Sequence, residues 1–180
     1  MAKNKIGKIQ VYTGNGKGKT TASLGLALRA RGRNWRVAVI FFDKGGWYYG
    51  EREMLTKIGI DYWVTGLERF DQKKKKFRFG VTKEDQLEGL KGLDLVRAIF
   101  QKNNYDLLVL DEINSSLYLN IIKPTQFIDL LSQKPKSLEL VLTGRYASEK
   151  IIKLADLVTE MKMIKHPYTH GGKAIKGIDF

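Results

Sequence analysis

The segment VYTGNGKGKTT, Val11 to Thr21, places three glycines and two lysines between a short apolar run and a helix-forming stretch. Few features restrict a fold more. The Walker A pattern, G-x-x-x-x-G-K-[ST], is a loop whose backbone amides surround phosphates, whose lysine reaches their oxygens and whose hydroxyl serves a magnesium ion. Aligned on Gly18, Lys19 and Thr20, the sequence carries Thr13 where that pattern has its first glycine. The physical content survives the change. Gly14, Gly16 and Gly18 allow the amides to turn inward around Asn15 and Lys17, and the helix that follows presents its positive end. Lys17 adds a second cation beside Lys19, and Thr21 continues the hydroxyl pair begun by Thr20.

Short apolar runs then alternate with helical patterns, which predicts repeated βαβ units, an α/β fold and a mostly parallel sheet. Strands are expected at KIQVYTG near Lys8, RVAVIFF from Arg36, IDYWVTG from Ile60, YDLLVLDE from Tyr105, LELVLTG from Leu138 and DLVTEMKMI from Asp156. Helices are expected over Lys19–Arg31, Tyr49–Ile58, Lys83–Gln101, Pro124–Gln133 and Ser148–Ala155. In the longest of these, Leu87, Leu90, Leu93 (or Asp94) and Arg97 share a face by their spacing, widened by Leu95, Val96 and Ile99, and that face is expected to pack on the sheet. Open α/β sheets bind ligands beyond the carboxyl ends of their strands. Here those ends read TGNGKGKTT, DKGG, TG at Thr65, DEIN and TGR, so they should surround one crevice. The stretch Gly66 to Gly80, GLERFDQKKKKFRFG, reads as a mobile basic excursion.

LLVLDEIN gives the second half of a nucleotide site. An apolar strand ending in Asp111 and Glu112 is the Walker B arrangement, whose carboxylates bind Mg²⁺ directly or through water. Either residue could touch the ion; Glu112 is preferred, with Asp111 as its partner and Thr20 as the hydroxyl ligand. Arg145, just past a strand, is placed to meet a ligand or to sit in a surface turn. Arg29, ten residues after Lys19 on the same helix, could turn back toward the phosphates or cap a solvated face, and reads from position alone as structural.

Composition narrows the rest. The 180 residues are 43% hydrophobic, enough for one domain with a core. With 32 Lys and Arg against 19 Asp and Glu, the formal charge of +13 attracts nucleotides, nucleic acid and other anions alike. There is no cysteine, which excludes disulfides, thiolate metal sites and cysteine nucleophiles. His166 and His170 read as turn residues and cannot build a zinc site unaided. No signal peptide and no run of about 18 apolar residues is visible, so a cytoplasmic protein without a membrane span is expected.

Taken together, VYTGNGKGKTTASLGLALRARG, VAVIFFDKGG, LLVLDEIN, LELVLTGR and the ending from KIIKLADLVTEMKMIKHPYTHGG to KAIKGIDF resemble the P-loop type of ATP:corrinoid adenosyltransferase, in order and over nearly the whole chain. The resemblance also accounts for Thr13, since the family loop begins with a non-glycine there. It implies a RecA-like fold, a homodimer, and transfer of the 5′-deoxyadenosyl group of ATP to the Co(I) of a reduced corrinoid, with triphosphate as leaving group. It implies ATP bound in reversed sense, Mg²⁺ or Mn²⁺ as the ion, and a reductase partner that supplies Co(I). Since Co(I) is itself a strong nucleophile, the protein need only align cobalt with the 5′ carbon and stabilise the departing charge. Lys17, Lys19, Thr20 with the ion, and Glu112 suit that task, and Arg29 falls on a nucleotide-contacting arginine of the family motif.

The sequence departs from the family in two places. Leu67 and Arg69 stand where the family usually places Phe and Trp to crowd the lower face of the corrin; Phe70, Phe77 or Phe79 could supply a ring instead. The strand near Lys8 also follows a shorter leading segment than many members carry, which implies less shielding of the site from water. Trp47, Tyr48 and Tyr49 either line a corrinoid or adenine surface or pack a loop. The Lys73–Lys76 run reads as a solvated surface, or as a contact for a phosphate backbone or the corrin's nucleotide tail. Two rival functions fit the same loop: a RecA-like ATPase that binds single-stranded nucleic acid, and a non-catalytic nucleotide or corrinoid carrier.

Overall fold

A computed structural model describes residues 6–46, 49–71 and 75–180. Trp47, Tyr48, Lys73, Lys74 and the side chain of Phe77 lie outside the described residues. The elements run β1 (Ile9–Thr13), α1 (Lys19–Arg31), β2 (Val37–Phe42), α2 (Gly50–Lys57), β3 (Asp61–Thr65), a hairpin of β4 (Phe70–Asp71) and β5 (Lys76–Phe77), α3 (Lys83–Lys102), β6 (Leu107–Asp111), α4 (Ile113–Tyr118), α5 (Pro124–Leu131), β7 (Glu139–Thr143), α6 (Glu149–Leu154) and β8 (Leu157–Glu160). A short 3₁₀ turn follows at Pro167–His170. Each expected strand and helix is present, and the fold is α/β and RecA-like. The last strand stops at Glu160 rather than continuing to Ile164.

The main sheet has six strands in the order β3-β2-β6-β7-β1-β8, and every pairing in it is parallel. Helices cover both faces, so its central strands are apolar without alternation. The period of two instead divides them between two cores. Ala38, Ile40 and Phe42 of β2 join Leu108, Leu110, Leu140 and Leu142 on one face. Val37, Val39 and Phe41 join Leu107, Val109 and Val141 under α1 and α2 on the other. Helix α1 meets that second face with small residues, Ser23, Ala27 and Ala30, which brings its first turn close to the strand ends.

The buried stripe of α3 is rotated from the expected one. Leu87 and Leu90 are exposed, whereas Gly89, Gly92, Leu93, Val96, Ile99 and Phe100 are buried. Packing overrides hydropathy here because the glycines allow close approach. A Cβ on Gly92 would lie 2.3 Å from Phe42 Cε1, and one on Gly89 would lie 2.9 Å from both Ile121 and Ile122. A leucine stripe would hold the helix further from the sheet.

The Gly66–Gly80 stretch, expected to be a mobile excursion, is pinned among its described residues. Arg69 donates from Nε to Asp43 Oδ1 at 2.8 Å and from a terminal nitrogen to the Gly80 carbonyl at 2.8 Å. Arg78 forms a two-point pair with Asp85 at 2.7 and 2.8 Å. Asp85 also closes a capping box with Thr82 at the start of α3. Its side chain is 1% exposed, and the Arg78 guanidinium holds its carboxyl down at about 2, against an ordinary 3.8.

A depressed carboxyl pKa stabilises the folded state above the unfolded value and ceases to do so as pH falls through the folded one. Asp85→Asn is therefore expected to cost about 2 kcal/mol at pH 6. Urea titrations should show the gap between variant and parent shrinking below pH 4 and closing near pH 2. A gap that stays constant with pH would show that the pair does not act through the charge of Asp85.

Candidate nucleotide-binding site

The loop after β1 keeps its shape because the chain leaving β8 lies against it. Thr13 accepts at its carbonyl from the Met161 amide (2.8 Å), and the Gly16 amide donates to Met161 O (2.7 Å). Asn15 Oδ1 accepts from the Met163 amide at 2.9 Å. Gly14 has a φ of 97°, and a Cβ there would stand 2.4 Å from Met161 O. The non-glycine at position 13 has its own task, for its hydroxyl accepts from the Ala147 amide at 3.2 Å and ties the loop to the segment after β7.

The two loop lysines differ. Lys19, 6% exposed, donates to the Gly16 carbonyl at 2.6 Å, folding its ammonium back into the loop. Burial lowers its pKa, with Arg145 and Lys44 acting the same way and Glu112 and Asp111 against. Lys17 reaches outward and pairs with the Asp179 carboxylate and, at 3.0 Å, the Ile178 carbonyl.

Opposite the loop, the strand ends supply the acids. Asp111 is wholly buried. Its Oδ1 accepts from the Thr143 hydroxyl at 2.6 Å; its Oδ2 accepts from Lys44 Nζ at 2.6 Å and from the Thr20 hydroxyl at 3.3 Å. Glu112 follows with a left-handed φ of 59°, its amide donating to Thr143 Oγ1 at 3.0 Å. That turn sends its side chain into the cleft, where it accepts from the Ser115 hydroxyl. The Ser115 oxygen in turn accepts from the Arg145 amide at 3.0 Å. Thus Glu112 reaches the open cleft, and Asp111 lies beneath it with both oxygens engaged.

These groups line a cleft of about 660 Å³. Of the residues expected from sequence, Gly16, Lys17, Gly18, Lys19, Thr20, Thr21, Glu112 and Arg145 border it. Gly14 and Asn15 shape the loop from behind. Arg29 lies on an exposed part of α1, close enough to Tyr12 for its charge to act on that phenol, and is not among the residues bordering the cleft.

Sequence alone assigns no place in the site to Lys44 or to the start of α2 beyond Tyr49, and it marks the final residues Gly177 to Phe180 only through the family resemblance; all of these form walls. Lys44 carried a faint signal in the polar strand end DKGG. The role of the last residues depends on a contact more than 160 positions away, from Lys17 to Asp179, which no local pattern reveals. Arg52 steadies the Lys44 loop by donating to the Lys44 and Gly46 carbonyls and stacking 4.5 Å from the Tyr49 ring centre.

Among the described residues, no three His, Cys, Asp or Glu side chains gather into a self-sufficient metal site. The Thr20 hydroxyl, Glu112 carboxylate and buried Asp111 nonetheless form an oxygen donor set that suits Mg²⁺ when phosphate oxygens complete it. Among the same residues, no helix is long and apolar enough to cross a membrane.

A parallel sheet whose first strand feeds a glycine-rich, lysine-bearing loop, faced by an acidic strand end, defines a P-loop nucleotide-binding domain. The chain belongs to the family described as ATP:corrinoid adenosyltransferase BtuR/CobO/CobP, which it matches over residues 5–180. It is 32% identical to the corrinoid adenosyltransferase of Escherichia coli K12 over all of this chain and 89% of the relative. A Sinorhizobium corrinoid adenosyltransferase is 36% identical over 97% of this chain and 80% of its own length. Corrinoid adenosyltransferase CobA of Salmonella typhimurium is 33% identical over all of this chain and 89% of the relative. Membership favours the transferase over the nucleic-acid ATPase.

Gly14→Ala is expected to destabilise the fold by more than about 2 kcal/mol and to abolish ATP binding, since its methyl meets a backbone oxygen at a left-handed φ. Gly25→Ala, on the same stretch but with open space around it, should instead stabilise by about 0.5–1 kcal/mol. Thermal melts with and without ATP separate the two.

Proposed function

We propose that the cleft binds ATP with its triphosphate on the Gly14–Thr21 loop and that the chain transfers the 5′-deoxyadenosyl group to the Co(I) of a reduced corrinoid. The bond formed is cobalt to C5′, the bond broken is C5′ to oxygen, and the leaving group is triphosphate. Cobalt supplies the electron pair, so no protein nucleophile is needed. The observation that carries this reading is the convergence of Lys17, Lys19, Lys44 and Arg145 on one cleft in a chain that matches the family over residues 5–180.

The residues divide the work. Lys19 and the loop amides stabilise negative charge gathering on the departing triphosphate, in a partly dry site where such groups act strongly. Arg145 and Lys17 meet its outer oxygens, and Lys17 must exchange the Asp179 carboxylate for phosphate to do so. Thr20 and Glu112 would hold Mg²⁺ or Mn²⁺, which supplies further charge neutralisation; Asp111 supports them from beneath. Arg29 contributes to the nucleotide only if a surface beyond this cleft, such as a second copy in a homodimer, brings it near. A reductase delivers the Co(I) state, and the reaction takes place in the cytoplasm.

The lower corrin face needs a different solution from the family's aromatic pair. Arg69 is committed to Asp43 and Gly80, so Phe70, half-buried on the same hairpin, is the ring we assign to that face.

Anaerobic mixing of protein, ATP, Mg²⁺ and cob(I)alamin should give a light-sensitive alkylcobalamin and equimolar triphosphate, and Lys19→Ala should slow this by about a hundredfold or more. Orthophosphate release stimulated by single-stranded DNA, without alkylation, would establish the ATPase instead. Phe70→Ala should slow alkylation about tenfold while leaving ATP affinity unchanged; a full rate would exclude Phe70 from the corrin face.

A further inference from the structure

Lys44 follows β2, away from the glycine-rich loop in sequence, yet its ammonium sits in the middle of the site. It is 2.6 Å from Asp111 Oδ2 and 3.0 Å from Thr20 Oγ1, and its side chain is only 17% exposed. Lys44 also borders the cleft, with its ammonium 5.7 Å from the Tyr49 ring centre and 5.9 Å from that of Phe41. Its ammonium forms an ion pair with the buried Asp111 carboxylate. Arg52, by fixing the Lys44 and Gly46 carbonyls, leaves the lysine little freedom to swing away.

The two oxygens that Lys44 engages belong to the donor set that suits a divalent ion. We propose that Lys44 is a built-in cation of this site: it shares the Thr20 and Asp111 oxygens with the divalent ion and reduces the dependence of ATP binding on that ion. The proposal rests on the reading of the cleft as an ATP site. Two cations competing for one pair of oxygens make separate predictions for the metal and for the nucleotide. Without Lys44 the metal should bind more tightly by itself, because a competitor is gone. ATP, in contrast, should bind more weakly in the absence of metal, because a fixed positive charge near the phosphates is gone.

The test compares the parent with Lys44→Met and Lys44→Arg by calorimetric ATP titration in Mg²⁺ and in EDTA, and by Mn²⁺ binding without nucleotide, followed by electron paramagnetic resonance. For Lys44→Met, the ratio of ATP affinity in Mg²⁺ to that in EDTA should rise by about ten- to a hundredfold over the parent. Its affinity for Mn²⁺ alone should rise by about tenfold. Lys44→Arg should keep the parent's ratio. If the Met variant fails to fold with Asp111 left unpaired, Lys44→Gln, which keeps a hydrogen-bond donor without charge, gives the same readout. An unchanged ratio, or a Mn²⁺ affinity that falls in the uncharged variant, overturns the role of Lys44. Failure of the parent itself to bind ATP would overturn the reading of the cleft.

Discussion

The buried carboxylate of Asp111 is the tie on which the arrangement of the site depends. Taking such a charge out of water costs several kcal/mol unless its oxygens are well matched. Here each oxygen is used: Thr143 closes β7 onto it, Thr20 brings in the first turn of α1, and Lys44 brings in the end of β2. One group on the central strand β6 thereby sets the spacing of the neighbouring strand ends. Thr143 works in both directions, donating to Asp111 and accepting from the Glu112 amide, and so it also helps fix the left-handed turn that sends Glu112 into the open. The two consecutive acids have thus divided their roles by depth. The inner one holds the strand ends together, and the outer one reaches the open cleft.

Much of this was legible in the sequence, for identifiable reasons. Apolar runs as short as VAVIFF and LLVLD, bounded by polar and glycine residues, read as buried parallel strands, and the G-K-T-T ending tells where α1 begins. The residues brought to the cleft by strand ends were legible by the same logic. What escaped was whatever depended on close approach or distant pairing. The stripe of α3 differs from the expected one because Gly92 packs against Phe42 and Gly89 against Ile121 and Ile122, beside Leu93 and Val96, while Leu87 and Leu90 stay exposed. The Gly66–Gly80 stretch read as mobile because Arg69–Asp43 and Arg78–Asp85 cannot be inferred from its four lysines and three phenylalanines. Lys44 reads from sequence as an ordinary residue after a strand, because its pairing with Asp111 spans 67 positions.

The hairpin shows how one side chain can hold a strand end. The Arg69 guanidinium secures the end of β2 through Asp43, whose carboxyl is pushed up by burial despite that pairing. Replacing the arginine with an aromatic ring would leave Asp43 without its counter-charge. Arg69 thereby ties the hairpin and the Gly80 carbonyl to the Asp43 turn.

The place of β1 in the sheet has a consequence for how the protein is made. Its neighbours are β7 and β8, with Ile9 opposite Leu140 and Gln10 opposite Leu157. A ribosome releases this strand first and its partners last, and at roughly 5–20 residues per second the wait is on the order of ten seconds. Throughout that interval both edges of the strand that carries the phosphate loop are unpaired. The nucleotide can assist folding only after nearly the whole chain has emerged, so a nascent chain must rely on its own solubility, or on a chaperone, until then.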